Sequence, residues 1–187
     1  MSRTPRVLLE RLDVHHDVST FDSGNEVLDA WLRRHALAAQ RMDSARTFVA
    51  IRSGRVVGYF SLTMGSVLRA EAPIKLVRGI PAYPVGMVLL ARVAVDQSQQ
   101  GKGVGAMLLA EALRKAVAAG EVAAARLIVV DAIDDDAAAF YARYGFVRAP
   151  EYPLRLYRRM KDVRASLDSV TDEGTERPSG QGASATT

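Results

Sequence analysis

Apolar positions along this chain follow two periods, and the points where one gives way to the other divide it into strands and helices. Val7 to Leu12 has the length of a first strand. Ser23 and Glu26 then stand at capping-box spacing, with Phe21 placed to staple the start of a helix. On that helix Val27, Leu28, Trp31, Leu32, Ala38 and Ala39 form the apolar face, with Arg33, Arg34 and Arg41 towards the other side. Thr47 to Ile51 and Val56 to Met64 are β-rich runs joined through Ser53-Gly54, which predicts a hairpin. From Val67 to Pro84 the pattern breaks into a short helix and loop.

Met87 to Val95 is nearly all apolar, as in a central strand covered on both faces, and Arg92 is its exception. Val104, Leu108, Leu113 and Val117 recur at helical spacing, and Gly120 supplies a stop. Leu127 to Val130 reads as another buried strand. Asp134, Asp135 and Asp136 place negative charge where a helix N-terminus favours it, and the helix runs from Ala137 to Tyr144 before Gly145. Those aspartates are most simply a cap, with a weak metal site as the lesser alternative. Phe146 to Arg148 and Leu154 to Met160 complete the strands. The order predicts an α/β fold with a mixed sheet and one parallel crossover.

Composition narrows the function more than the fold. The 187 residues are 49% hydrophobic, enough for the core of one domain. The longest apolar stretch, Val85 to Val95, is 11 residues long. That is short of the roughly 18 to 20 a membrane span needs, and no signal-peptide core follows Met1, so a cytoplasmic protein is expected. Without cysteine there is no thiolate chemistry, and three histidines without metal-ligand spacing predict no metal. Four of the 21 acids and one of the 25 bases lie beyond residue 164, leaving a net charge of +7 before it. The expected organisation is a domain over 1–164 and a disordered tail over 165–187, which has too few large apolar groups to offset chain ordering.

The densest chemistry lies in Gln100-Gly101-Lys102-Gly103-Val104-Gly105. Glycines between a strand and a helix bring several N–H groups together, and the helix behind adds unpaired amides and the positive end of its dipole. That is a cradle for a diphosphate, although the same glycines also serve as ordinary turn punctuation. A nucleoside-triphosphatase loop is disfavoured, because Gly103 follows Lys102 where a Ser or Thr would hold magnesium.

Gln100, Gly103 and Gly105, together with Phe140-Tyr141 and Gly145-Phe146, resemble the two linked motifs of the GCN5-related N-acetyltransferase (GNAT) superfamily. The resemblance covers about residues 6 to 160 and implies a six- or seven-stranded mixed sheet with flanking helices, whose fourth and fifth strands splay to admit the pantetheine arm. Phe21-Asp22-Ser23-Gly24, Leu28-Asp29-Ala30-Trp31-Leu32, Gly58-Tyr59-Phe60-Ser61-Leu62 and Leu90-Ala91-Arg92-Val93-Ala94-Val95-Asp96 are similar to the TacT-like toxins of type II toxin–antitoxin modules. Those toxins acetylate the amino group of aminoacyl-tRNA, stop translation, and are paired with a ribbon-helix-helix antitoxin. Asp134, where the superfamily often has asparagine, departs from the pattern.

By this resemblance the cosubstrate is acetyl-CoA, with backbone groups of Val93, Ala94 and Val95 on the pantetheine arm and thioester. Amides from Gln100 through Gly101, Lys102, Gly103 and Val104 to Gly105 take the diphosphate, with the Lys102 charge beside them. Tyr141 stands at the position of the acid, a phenol that stays protonated at neutral pH; helix-end packing is its other reading. Tyr144 is placed to line the same face. No residue is marked as a base, which suits an α-amine (reference pKa about 7.7 to 8.0) better than a lysine (about 10.4). Arg33, Arg34, Lys75 and Arg78, with Arg41 as a further member, are candidates for tRNA phosphates, and solubility is their plain alternative. A homodimer is left open, as are acetylation of a small amine or a protein N-terminus and a non-catalytic acetyl-CoA-binding module.

Overall fold

The computed structural model describes residues 6–173. Seven strands form one sheet in the order β1-β2-β3-β4-β5-β7-β6. They are β1 (Leu8–Arg11), β2 (Arg46–Arg52), β3 (Arg55–Val67), β4 (Val85–Val95), β5 (Leu127–Asp131), β6 (Val147–Arg148) and β7 (Arg155–Arg159). Among the described residues only β4 and β5 run parallel, joined by the crossover helix α4 (Val104–Ala123). At the β2–β3 hairpin Ser53 and Gly54 both take positive φ, 51° and 75°, the pair of left-handed residues a two-residue turn requires.

Each face of the sheet has its own cover. On one side Leu108, Leu109, Ala112 and Ala116 of α4 pack with Val57, Phe60, Val88, Leu90, Ile128 and Val130. The helices α5 (Asp135–Arg143) and α6 (Met160–Glu173) join this layer through Ala138, Tyr141, Met160 and Val163. A Cβ on Gly58 would lie 2.7 Å from Leu108 Cδ1 and 3.1 Å from Ala94 O, so this glycine is what lets α4 approach β3 and β4. On the opposite face α1 (Glu26–Arg34) buries Leu28 and Leu32 against Val49, Val56, Tyr59 and Ala94. The segment between β3 and β4 covers the rest, with Leu76 and Val77 of the short helix α3 (Ile74–Val77) against Val85, Met87, Leu127, Val129 and Tyr157.

Several boundaries differ from the sequence reading. The N-cap of α1 is Asn25, whose side chain accepts from the amides of Val27 and Leu28, while the Ser23 hydroxyl donates to buried Asp29 at 2.6 Å. The first helix is not continuous: His35 (φ −120°) separates α1 from α2 (Ala36–Arg41). Gln40 anchors α2 by donating to Leu12 O at 2.6 Å and accepting from Thr47 N at 3.3 Å, contacts a straight helix would not align. Val27 faces solvent at 75% exposure, whereas Ala36 is fully buried.

Gly120 does not stop α4. A Cβ there would come within 3.0 Å of Met160 Cε, so the glycine makes room for α6, and the cap is Ala124 in the left-handed region. The helix α6 runs through the boundary expected at 164, so residues 165–173 are helical rather than tail. The apolar Val163 at its start is fully buried and carries the helix onto α4. The remainder of the expected tail lies outside the described residues.

Candidate active site

The splay between β4 and β5 comes from a register that ends early. Their pairing runs from Met87–Leu127 to Leu90–Val130 and stops, while β4 continues beside β3 as far as Val95 opposite Gly58. At the same level β4 carries an extra residue: Ser61 pairs with Arg92 and Leu62 with Leu90, so Ala91 is bulged out. The bulge shifts the alternation by one, which puts Arg92 and Ala94 on the α1 face and Val93 and Val95 on the α4 face.

Backbone groups follow the same alternation. The Asp96 amide donates to Val57 O at 3.0 Å, so the polar groups of Ala94 turn towards β3 and those of Val93 and Val95 towards the gap. Of the three residues expected on the thioester arm, Val93 and Val95 are therefore on the open edge, and Ala94 is in the ladder. The gap holds a cavity of about 60 Å³ lined by Leu28, Arg92, Val93, Asp131, Ala137 and Tyr141 among others. It shares Asp131 with a larger hollow of about 540 Å³ bordered by Glu71, Tyr152 and Arg155.

The glycine loop is fixed from the side of the chain's N-terminal part. Asp96 is 6% exposed and accepts from the Ser98 hydroxyl at 2.6 Å, the Ser98 amide at 3.0 Å and the Asp22 amide at 3.2 Å. Burial opposes its ionisation, but these hydrogen bonds and nearby Arg55 outweigh it and hold the carboxyl below its ordinary value. Gln97 donates its backbone amide to Asp22 O at 2.8 Å and its side chain to Asp22 Oδ1 at 2.9 Å. The Gln100 side chain bridges Ser23 O at 2.9 Å and Val95 O at 3.0 Å. Gln100 thus shapes the loop, and Lys102 folds its ammonium back onto Ser98 O at 2.7 Å.

Gly101 (φ 72°) and Gly103 (φ 80°) supply the left-handed turns that deliver the chain to α4. Gly103 is the N-cap and offers no side chain, in contrast to Asn25 on α1 and Asp134 on α5. The first intrahelical bond runs from Met107 N to Gly103 O, so the amides of Val104, Gly105 and Ala106 precede it. An uncapped start to a 20-residue helix beside an open strand edge suits a ligand with amides along an arm and a diphosphate at its end.

Tyr141 borders the other side of the gap. It is 7% exposed, held between Phe146 (5.8 Å, edge-on) and Phe140 (5.3 Å, edge-on), and burial raises its phenol well above the ordinary value. Its hydroxyl makes no hydrogen bond with another described residue, so it is a protonated donor without an internal acceptor. Tyr144 caps α5 beside Phe140 (5.1 Å) and does not line the cavity. Asp134 caps α5 by accepting from Ala137 N at 2.7 Å, and Asp135 pairs with Arg148 at 2.8 Å.

Of the expected tRNA contacts, Arg33 is used internally. It donates to Phe21 O at 2.9 Å and pairs with Glu26 at 3.1 Å, tying down the loop that holds the glycine turn. Arg34, Lys75 and Arg78 are exposed and make no ion pair with a described residue. No motif or spacing in the sequence marks a role for Arg92, whose guanidinium carbon lies 4.2 Å from the Trp31 ring centroid. Trp31 in turn stacks on Tyr59 (6.0 Å, 15°), and such a cation–π contact contributes about 0.5 to 2 kcal/mol. The one signal available in the sequence was a charge inside an otherwise apolar strand.

Comparison with known proteins places this arrangement. A family model described as the acetyltransferase (GNAT) family matches residues 12–146. A tRNA-acetylating toxin of Mycobacterium tuberculosis is 43% identical over 157 residues, 84% of this chain and 94% of that protein. Among solved structures, AtaT complexed with acetyl-methionyl-tRNAfMet superposes with a TM-score of 0.80 at 28% identity, covering 86% of this chain and 99% of that one. A Tyr-to-Phe mutant of the AtaT toxin, bound to the C-terminus of the antitoxin AtaR and acetyl-CoA, gives 0.74 at 27% identity over 86% and 97%. With the splayed sheet, the uncapped glycine turn and these matches in agreement, the chain belongs to the acetyltransferase (GNAT) family.

Proposed function

We propose that this chain transfers the acetyl group of acetyl-CoA to the α-amino group of aminoacyl-tRNA and acts as a translation-blocking toxin. The reading is supported by its 43% identity to a tRNA-acetylating toxin and by its likeness to AtaT, solved with acetyl-methionyl-tRNA and with acetyl-CoA. The observation that carries the chemistry is the open β4 edge facing Tyr141 across the gap that leads to the uncapped start of α4.

In this reading Val93 and Val95 hold the pantetheine amides and thioester, and the amides from Gly101 to Gly105 and of Ala106 hold the diphosphate. The amine nitrogen forms a C–N bond to the thioester carbonyl carbon as the C–S bond breaks. The proton lost by nitrogen goes to water, and Tyr141 gives its phenolic proton to the departing sulfur and recovers one from solvent. A neutral α-amine is available near pH 7 without a strong base, because its reference pKa is about 7.7 to 8.0.

AtaT bound to the C-terminus of the antitoxin AtaR supports an antitoxin as partner, and the resemblance to TacT-like toxins makes the ribbon-helix-helix type the proposed one. A homodimer and a cytoplasmic location belong to the same reading. Among the described residues no helix is long and apolar enough to cross a membrane. The test incubates the protein with labelled acetyl-CoA and a charged tRNA pool and identifies the acetylated aminoacyl esters. Tyr141→Phe should lower kcat by about 100-fold or more while leaving acetyl-CoA affinity unchanged. Undiminished turnover overturns the assignment of the acid, and absence of any acetylated ester overturns the substrate.

A further inference from the structure

Arg92 is held in place on the acceptor side of the gap without a charge partner. The bulge at Ala91 turns it onto the α1 face. Its guanidinium carbon lies over the Trp31 ring, 4.2 Å from the centroid, and Tyr59 backs Trp31 at 6.0 Å. Tyr59 is in turn fixed by its hydroxyl on Leu28 O at 2.8 Å and by the edge of Phe21 at 5.6 Å. A cation–π contact of this kind takes up the charge without accepting a hydrogen bond from the N–H donors.

No carboxylate takes those donors. Arg92 makes no ion pair and no side-chain hydrogen bond with another described residue. The acid that shares its cavity, Asp131, is held on both oxygens by Arg155 at 2.6 and 2.8 Å. Asp29 accepts from the Ser23 amide and hydroxyl instead. What remains is a half-buried cation, stiffened by three aromatic rings, one residue from Val93 and lining the same cavity as Tyr141.

We propose that Arg92 is a specificity-determining residue that donates to an oxygen of the acceptor next to its reactive amine, so that the site prefers aminoacyl esters to plain alkylamines. The proposal rests on the aminoacyl-tRNA reading. An aminoacyl ester offers a carbonyl oxygen beside its amine and a phosphate on the same nucleotide, whereas an alkylamine or a lysine side chain brings neither to the guanidinium. An acceptor without such an oxygen leaves a desolvated charge unpaired, which is how a polar site rejects an analogue lacking the matching group.

The experiment compares three acceptors: a charged tRNA, the same amino acid esterified to adenosine, and a simple alkylamine. In Arg92→Gln the ratio of kcat/KM on charged tRNA to that on the alkylamine should fall by about 10- to 100-fold, the range for a hydrogen bond to a charged group. Arg92→Lys, which keeps the charge but loses the planar fork, should fall in between. Thermal melting and acetyl-CoA affinity check that both variants fold. A matching fall on the adenosine ester, which has no phosphate, supports the carbonyl as the partner; a fall on tRNA alone puts the contact at a phosphate and overturns a contact next to the amine. An unchanged ratio with active wild-type protein overturns the role of Arg92 and leaves the substrate standing, and inactivity of the wild-type chain on charged tRNA overturns both.

Discussion

Asp96 shows how a single side chain joins distant parts of the chain to the reaction site. Its carboxylate ties the turn after β4 to Asp22, and the hydrogen bonds that do so also depress its pKa. A carboxyl whose folded pKa lies below its unfolded value of about 3.9 contributes stability that is complete above that value and is lost as pH falls through the folded one. Acid should therefore loosen this loop between about pH 4 and the lower folded value. Asp96→Asn should cost about 1 to 3 kcal/mol at neutral pH and flatten the acid limb of the stability curve, measured by urea melts from acid to neutral pH. A mutant curve parallel to that of wild type would rule the carboxylate out as the titrating group. At this scale the sequence was most legible where motifs are local: the glycines turn the chain into α4, and Tyr141 lines the cavity beside β4. Asp96, Arg33 and Arg92 were not legible, because their partners Asp22, Phe21 and Trp31 lie far from them in sequence or on another element.

Among the elements, strands were legible to within a few residues because each carries a buried face of alternating or continuous apolar residues. Helix ends were less so, since tertiary packing decides them: Gly120 sits inside α4 because Met160 crosses there, and His35 breaks the first helix so that Gln40 can reach Leu12 and Thr47. The start of α4 gives the clearest test at this scale. Gly103 and Gly54 both have positive φ, 80° and 75°, and a Cβ on either would meet nothing within 4 Å. Alanine at each should cost about 1 to 2 kcal/mol of stability from the left-handed backbone alone. Only Gly103→Ala should also weaken acetyl-CoA binding, by about tenfold if an equal strain is relieved at the expense of the bound geometry, where 1.4 kcal/mol is a factor of ten. Calorimetric titration of the two variants decides it, and equal affinities would remove Gly103 from the diphosphate site.

Across the whole molecule, the proposed function puts the two substrates on opposite faces of the sheet. The glycine turn and α4 belong to one face, while α1, α3 and the Arg92 stack belong to the other, and the gap between β4 and β5 is where the faces communicate. Charge follows the same division on the acceptor face. Arg34, Lys75 and Arg78 are exposed there and unpaired among the described residues, while Arg33 is absorbed by Glu26 and Phe21. A polyanionic acceptor approaching α1 and α3 would displace counterions from those cations, and each phosphate contact adds about 0.9 to the slope of log affinity against log salt for duplex nucleic acid. Reversing charge at both Lys75 and Arg78 should raise KM for charged tRNA and reduce its salt slope by about 2, with acetyl-CoA affinity unchanged because that ligand binds through the other face. Reversal at Arg33 should instead lower thermal stability and weaken acetyl-CoA binding, since the loop it holds positions Gln97 and Gln100. Steady-state kinetics across a salt series would separate the two effects: an unaltered slope in the Lys75 and Arg78 variant places the tRNA elsewhere, and a changed acetyl-CoA affinity in it breaks the division of the faces.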